Sequence, residues 1–176
     1  MYSSLLEVWS AHNPRVATDI LDRMLSLGMS PTPSCYALLM DSWATVGNAA
    51  MCEGVLERMF SQDLIPDPAS ARLLLSTLAS SSARFDNAER TENAIKQLLA
   101  SGVTLDAYML SSQLQAWAKS PSPLALDRAK AALKRGVSSN VRIATAHYNI
   151  LMDIAGKSKA GGGAEEAEAL FEELLR

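Results

Sequence analysis

The chain repeats itself with a period of about 35 residues, and this period limits its possible folds more than any single residue does. Trp9 and Trp43 lie 34 residues apart, and Met24 and Met59 lie 35 apart. Repeats of this length are stacked supersecondary units, none of which can bury its apolar face alone. The period therefore predicts an array with a continuous core, and such arrays typically bind elongated partners.

Each unit is predicted to be a pair of α-helices. The unit starting at Pro33 is the clearest, because an apolar run at helical spacing reaches Trp43, Gly47 interrupts it, and a second run ends at Met59. Sparse aromatic residues and the lack of β-branched runs also favour helix throughout. The predicted units span approximately 1–32, 33–67, 68–106, 107–144 and 145–176, the last of them incomplete.

Glycines mark the predicted ends of the second helices. Gly28, Gly102 and Gly136 each follow an apolar helical run. Glycine adopts the left-handed conformation that commonly closes a helix, since it has no Cβ to clash. We therefore expect all three to be C-terminal caps.

The overall composition does not indicate a nucleic-acid binder. The net charge is −3 and the isoelectric point is near 5.4, whereas non-specific affinity for nucleic acid comes mainly from Lys and Arg that neutralise phosphates. A content of 48% hydrophobic and 20% charged residues argues against disorder. No run of 18 apolar residues occurs, so no membrane span is predicted. Any binding of nucleic acid must therefore depend on local placement.

No catalytic, metal or cofactor site is predicted, and neither is a small-molecule substrate. Cys35 and Cys52 have no zinc-ligand or disulfide-framework spacing, and Cys52 fits a buried core place. His12 and His147 lack ligand neighbours and are expected at the surface. Gly156-Lys157-Ser158 lacks the earlier glycine of a phosphate-binding loop. The sequence thus predicts a binding protein rather than an enzyme.

Three further features resemble the pentatricopeptide repeat family over essentially the whole chain. They are Tyr-x-x-Leu openings at Tyr2, Tyr36 and Tyr148, the closing segments Ser30-Pro31-Thr32 and Ile65-Pro66-Asp67, and the Ala167–Leu174 segment, which resembles the family's second helix. The tetratricopeptide repeat has a similar period, but its Trp-x-x-Leu-Gly-x-x-Tyr opening is not found. The resemblance implies an all-α right-handed superhelix, an α-solenoid of about five helix-turn-helix repeats, cut from a longer array.

The resemblance also implies that single-stranded RNA lies in a groove, one base per repeat. The base would be contacted by the residue after the opening aromatic and by the last residue of the repeat. These pairs are Ser3 with Thr32, Ala37 with Asp67, Arg72 with Asp106, and Ser111 with Asn140, and Asn149 takes the first place in the last unit. Ser111 with Asn140 resembles the family's adenine reader.

Other contacts to RNA are expected in the fourth and fifth units. Lys119 and Lys157 occupy matching places late in the first helices, where the family contacts phosphate. Tyr108 is a candidate for stacking on a base, with packing against the neighbouring repeat as the alternative.

The resemblance implies an organellar role, in which the protein stabilises transcripts or aids their processing or translation. The expected location is the mitochondrion, with the plastid as the alternative. A second hypothesis is a protein-interaction scaffold or a structural subunit of a large organellar assembly such as the mitochondrial ribosome. It is motivated by the acidic net charge and by the three pairs other than Ser111 with Asn140, which are unconventional as base-reading pairs.

Overall fold

The computed structural model describes residues 2–80, 86–157 and Ala169, with the side chains of Tyr2 and Ser3 left aside. Every regular element in these ranges is an α-helix. The helices are α1 (Tyr2–Ser10), α2 (Pro14–Ser26), α3 (Pro33–Thr45), α4 (Ala49–Phe60), α5 (Pro68–Ser80), α6 (Asn87–Ala100), α7 (Ala107–Lys119), α8 (Ala125–Ser138) and α9 (Thr145–Lys157). Of the predicted helix at Ala167–Leu174, only Ala169 is among the described residues, and the rest lies outside them.

The starts of the helices follow from proline and from side-chain caps. Pro14 and Pro33 are the first residues of α2 and α3, where the missing N–H costs nothing and the fixed φ suits a helix. Asn48 Oδ1 accepts a hydrogen bond from the Met51 N–H at 3.2 Å. Asp106 Oδ1 accepts one from the Met109 N–H at 2.8 Å. These acceptors satisfy amide groups that have no partner inside the helix.

Two of the three predicted glycine caps are confirmed. Gly28 and Gly102 follow α2 and α6 with φ of +72° and +96°. Gly136 instead lies inside α8, where a Cβ would come within 2.8 Å of Leu110 Cδ2, so that prediction is wrong. The left-handed residue after α8 is Asn140, with φ of +56°. Gly136 is explained by close packing of α8 on α7 rather than by the end of the helix.

The chain divides into two compact units. The first comprises Met1–Ser81 and Gln97–Val103, and the second comprises Ser82–Lys96 and Thr104–Arg176. In the first unit α1 packs on α2 and α3, and α3 packs on α4 and α5. In the second unit α7 packs on α8 and α9. Hairpins that stack through their first helices form an α-solenoid, and the predicted all-α solenoid class is confirmed.

Tryptophans at one register connect the hairpins of the core. In the first unit Trp43 is 7% exposed, and its Nε1 donates a hydrogen bond to Thr18 Oγ1 of the preceding hairpin at 3.1 Å. In the second unit Trp117 is 2% exposed, and its Nε1 has no hydrogen-bond partner within the described residues. Trp9 has the same register in α1 but is 40% exposed.

Trp43→Ala is expected to lower the free energy of unfolding by about 3–5 kcal/mol, because the substitution removes a buried indole and leaves a cavity. Chemical denaturation of the 176-residue chain measures the change. Trp9→Ala is the matched control, and its cost should be clearly smaller because that residue is already 40% exposed. Equal costs would contradict the assigned register.

Replacing each buried tryptophan with phenylalanine separates hydrogen bonding from packing. Trp43→Phe loses the bond to Thr18 and should cost about 0.5–1.5 kcal/mol more than Trp117→Phe, because a satisfied N–H is lost only at Trp43. The measurement is again the free energy of unfolding. A larger loss for Trp117→Phe would show that the Trp43 bond contributes nothing.

Cys52 should be an unreactive thiol. It is fully buried, its Sγ donates to the Met40 carbonyl oxygen at 3.6 Å, and burial raises its pKa to about 12. Because folding raises this pKa, the thiol's contribution to stability is present below the ordinary value of 9.0 and is lost as the pH rises towards 12. At pH 8 the native chain should therefore resist alkylation of Cys52 by iodoacetamide, measured by mass spectrometry. Modification as fast as in guanidinium-unfolded protein would contradict this assignment.

Candidate nucleic-acid interface

Two parallel rows of side chains occupy one face of the second unit. On α7 and on α9, residues four apart stand on successive turns of the helix. The six residues, which we name the α7–α9 polar face, are Ser111, Gln115, Lys119, Asn149, Asp153 and Lys157. All except half-buried Ser111 are exposed. Because α7 packs directly on α9, the two rows are neighbours.

The polar face brings three predicted RNA-contacting residues together. Lys119, Asn149 and Lys157 line one cavity of about 420 Å³. The rest of its lining consists of Gln115, Ala118, Ile150 and Asp153. Lys119 and Lys157 also border a second space of about 670 Å³, beside the loop between α7 and α8. Both lysines can therefore approach the same bound group.

Lys157 forms an ion pair with a carboxylate on the same face. Lys157 Nζ lies 2.5 Å from Asp153 Oδ2, and the side chains are 62% and 52% exposed. An exposed pair four residues apart on a helix contributes about 0.3–0.5 kcal/mol. A phosphate can displace so weak a partner, so the pair does not exclude Lys157 from binding an anion.

Ser111 is held by a residue that the sequence analysis did not place in the site. His147, in the first turn of α9, brings Nε2 within 3.0 Å of Ser111 Oγ. The prediction that His147 is a surface residue is wrong, since it is 3% exposed. Its place on α9 faces α7 rather than solvent. In the sequence His147 is distinguished only by its position directly before Tyr148. That position does not indicate a contact with Ser111.

The predicted companion of Ser111 lies at a different structural position from the other companions. Thr32 and Asp106 are the N-cap residues directly before α3 and α7. Asn140 instead closes α8 in the left-handed conformation, and Ala144 is the residue directly before α9. Three residues, 141–143, separate Asn140 from Ala144, so Asn140 does not occupy the position of Thr32 or Asp106.

Capping explains the acidic residues predicted to read bases. Asp67 Oδ1 accepts from the Ser70 N–H at 2.6 Å, and Asp106 accepts from Met109 as described above. Thr32 Oγ1 lies 3.4 Å from Cys35 Sγ. The two capping roles favour aspartate without any ligand, so Asp67 and Asp106 alone do not indicate RNA.

The remaining predicted residues are dispersed. In the first unit Arg72 is exposed and Ala37 is half-buried, and the matching row on α3 continues with Asp41 and Thr45, without a cation. Arg72 and Asp106 belong to different units. In the second unit Tyr108 is 41% exposed. Ser3 lies outside the described side chains.

Sequence comparison identifies the family. The sequence profile of the pentatricopeptide repeat-containing proteins matches residues 5–122, more than half of the chain. The chain therefore belongs to this family, as predicted. A comparison with curated proteins finds no significant match.

Solved structures share the fold at low sequence identity. The pentatricopeptide repeat domain of Arabidopsis thaliana protein-only RNase P 1, solved in complex with tRNA, superposes with a TM-score of 0.68 at 15% identity, over 98% of this chain and 88% of that domain. A triple cysteine-to-serine variant of the pentatricopeptide repeat protein PPR10, solved with an 18-nucleotide psaJ RNA element, gives 0.64 at 19% identity, over 99% of this chain. PPR10 from maize gives 0.58 at 17% identity, also over 99% of this chain. The chain spans 24% of either PPR10 chain.

Over residues 2–80 and 86–157, no group of three His, Cys, Asp or Glu side chains is placed to hold a metal ion. None of the helices α1 to α9 combines the length and apolar character needed to cross a membrane.

Proposed function

We propose that this chain is a single-stranded RNA-binding module whose α7–α9 polar face captures the RNA backbone. The proposal is carried by the cavity that Lys119 and Lys157 share with Asn149. The two ammonium groups would neutralise phosphates, and Asn149 and Ser111 would offer hydrogen bonds to bases. Structures of two similar proteins in complex with RNA support this choice of ligand.

Binding is expected to be local rather than spread over the whole surface. The net charge of −3 gives no long-range attraction for RNA. Affinity would then depend on a few charge-assisted contacts, with a shallow dependence on salt. Tyr108, exposed in the first turn of α7, would add stacking on a base. The pairs Ser3 with Thr32, Ala37 with Asp67, Arg72 with Asp106, and Ser111 with Asn140 remain candidate base contacts within this proposal.

We place this activity in organellar RNA metabolism, as the stabilisation, processing or translation of a transcript. Mitochondrion is the first choice and plastid the second. The alternative is a protein-interaction scaffold in an organellar assembly. It is favoured by the first unit, where the α3 row presents Asp41 and lacks a lysine.

Lys119→Gln combined with Lys157→Gln should weaken RNA binding at low salt. The slope of log K against log salt is negative, and its magnitude should decrease by about 1.4, since each phosphate neutralised on a single strand contributes about 0.7. Fluorescence anisotropy with a pool of random-sequence single-stranded oligoribonucleotides measures both quantities.

Two single variants control this experiment. Lys134→Gln removes one positive charge, as each of the two substitutions does, from an exposed place on α8 outside the polar face, and should leave the slope nearly unchanged. Asp153→Asn removes the partner of Lys157 and should tighten binding. Loss of affinity that is equal for the α8 variant and the double variant would reject the polar face as the site. Absence of salt-dependent binding by the unaltered chain would reject RNA as the ligand.

A further inference from the structure

The hydrogen bonds of His147 determine which of its two ring nitrogens carries the proton in the neutral form. Its Nδ1 lies 2.9 Å from the backbone nitrogen of Ala144, and that N–H donates to it. The Ala144 carbonyl oxygen lies 3.2 Å from the same nitrogen and could accept from a proton on Nδ1. Such a proton would point against the closer Ala144 N–H, which can only donate, so Nδ1 presents its lone pair. The single proton of the neutral imidazole is then on Nε2.

The proton on Nε2 determines the direction of the next bond. Nε2–H donates to Ser111 Oγ at 3.0 Å, and the carbonyl oxygen of Ala107, at 3.4 Å, is the more distant acceptor. Ser111 Oγ therefore accepts a hydrogen bond from His147, and the hydroxyl proton of Ser111 remains available for donation. Within the described residues the Ser111 hydroxyl has no hydrogen-bond partner other than His147.

A hydroxyl that accepts a hydrogen bond becomes a stronger donor and a weaker acceptor, because hydrogen bonds in a chain polarise one another. Ser111 stands at the start of the α7 row on the polar face, one turn before Gln115. A base bound there meets a hydroxyl prepared to donate. Adenine and cytosine present an acceptor nitrogen at the centre of the Watson–Crick edge, whereas guanine and uracil present an N–H.

We propose that His147 is a positioning residue that sets the base preference of Ser111, favouring adenine or cytosine over guanine or uracil at one nucleotide. The inference rests on the proposed function and deepens it, because it assigns specificity to a residue that neither the family pattern nor the charge of the site identifies. The residue that precedes α9, Ala144, takes part through its backbone rather than through a side chain.

The test is a selection from random-sequence oligoribonucleotides with the whole chain, followed by sequencing of the bound pool. Ser111→Ala identifies the nucleotide concerned, as the position at which preference disappears. At that nucleotide His147→Leu should reduce the ratio of adenine and cytosine to guanine and uracil by up to about tenfold. His147→Gln keeps an N–H donor on a side chain of similar reach and should restore most of the ratio. The ratio does not depend on the fraction of folded protein, so a stability defect does not imitate the effect.

A second measurement examines the geometry without RNA. The chain has two histidines, so His12→Gln leaves His147 as the sole imidazole. Long-range proton–nitrogen correlation at pH 8 should show a protonated Nε2 and an unprotonated Nδ1. The opposite tautomer would overturn the inference.

The outcomes distinguish the two proposals. If the unaltered chain binds RNA but His147→Leu leaves the ratio unchanged, the positioning role is rejected and the RNA-binding function stands. If the unaltered chain binds RNA with no preference at any nucleotide, the positioning role is again rejected. If the unaltered chain enriches no RNA, both proposals fail.

Discussion

The structure depends on burial between consecutive hairpins. A hairpin of two short helices leaves one apolar side without cover, and only the next hairpin can cover it. Trp43 shows this directly, because its ring lies against the preceding hairpin and its N–H bonds to Thr18 there. Ser42, its neighbour, donates to the Ser10 carbonyl oxygen at 2.6 Å, again across the hairpin boundary. Packing and hydrogen bonding therefore fix one register together.

Ion pairs between second helices repeat the same register. Arg58 on α4 pairs with Asp22 on α2 at 2.7 Å, and Arg128 on α8 pairs with Glu92 on α6 at 3.3 Å. Each pair joins residues 36 apart. The Arg58 pair is about half exposed and is worth under about 1 kcal/mol, so it contributes little stability. Its value is in alignment, since a helix shifted by one turn would lose the partner.

The sequence predicted the helices and most of the core, because burial follows the apolar period that defines each repeat. Tyr36, Leu39 and Trp43 are all buried as that period requires. The positions of the candidate base-contacting residues were less predictable. Four residues, 141–144, follow Asn140 before α9 begins. The position directly before that helix is therefore Ala144 rather than Asn140. His147 meets Ser111 36 residues away, and such a contact is decided by the angle between two helices rather than by local pattern.

These features explain how an acidic chain can carry a cationic site. Carboxylates such as Asp22 and Glu92 are engaged by arginines on the second helices. The α7–α9 polar face lies on first helices, and its six residues include two lysines and one carboxylate, Asp153. Because salt screens exposed charges over about 10 Å, an RNA strand bound at this face would interact with the nearby lysines more strongly than with the net charge of the chain. Local placement, and not the total charge, therefore determines whether this family member can hold RNA.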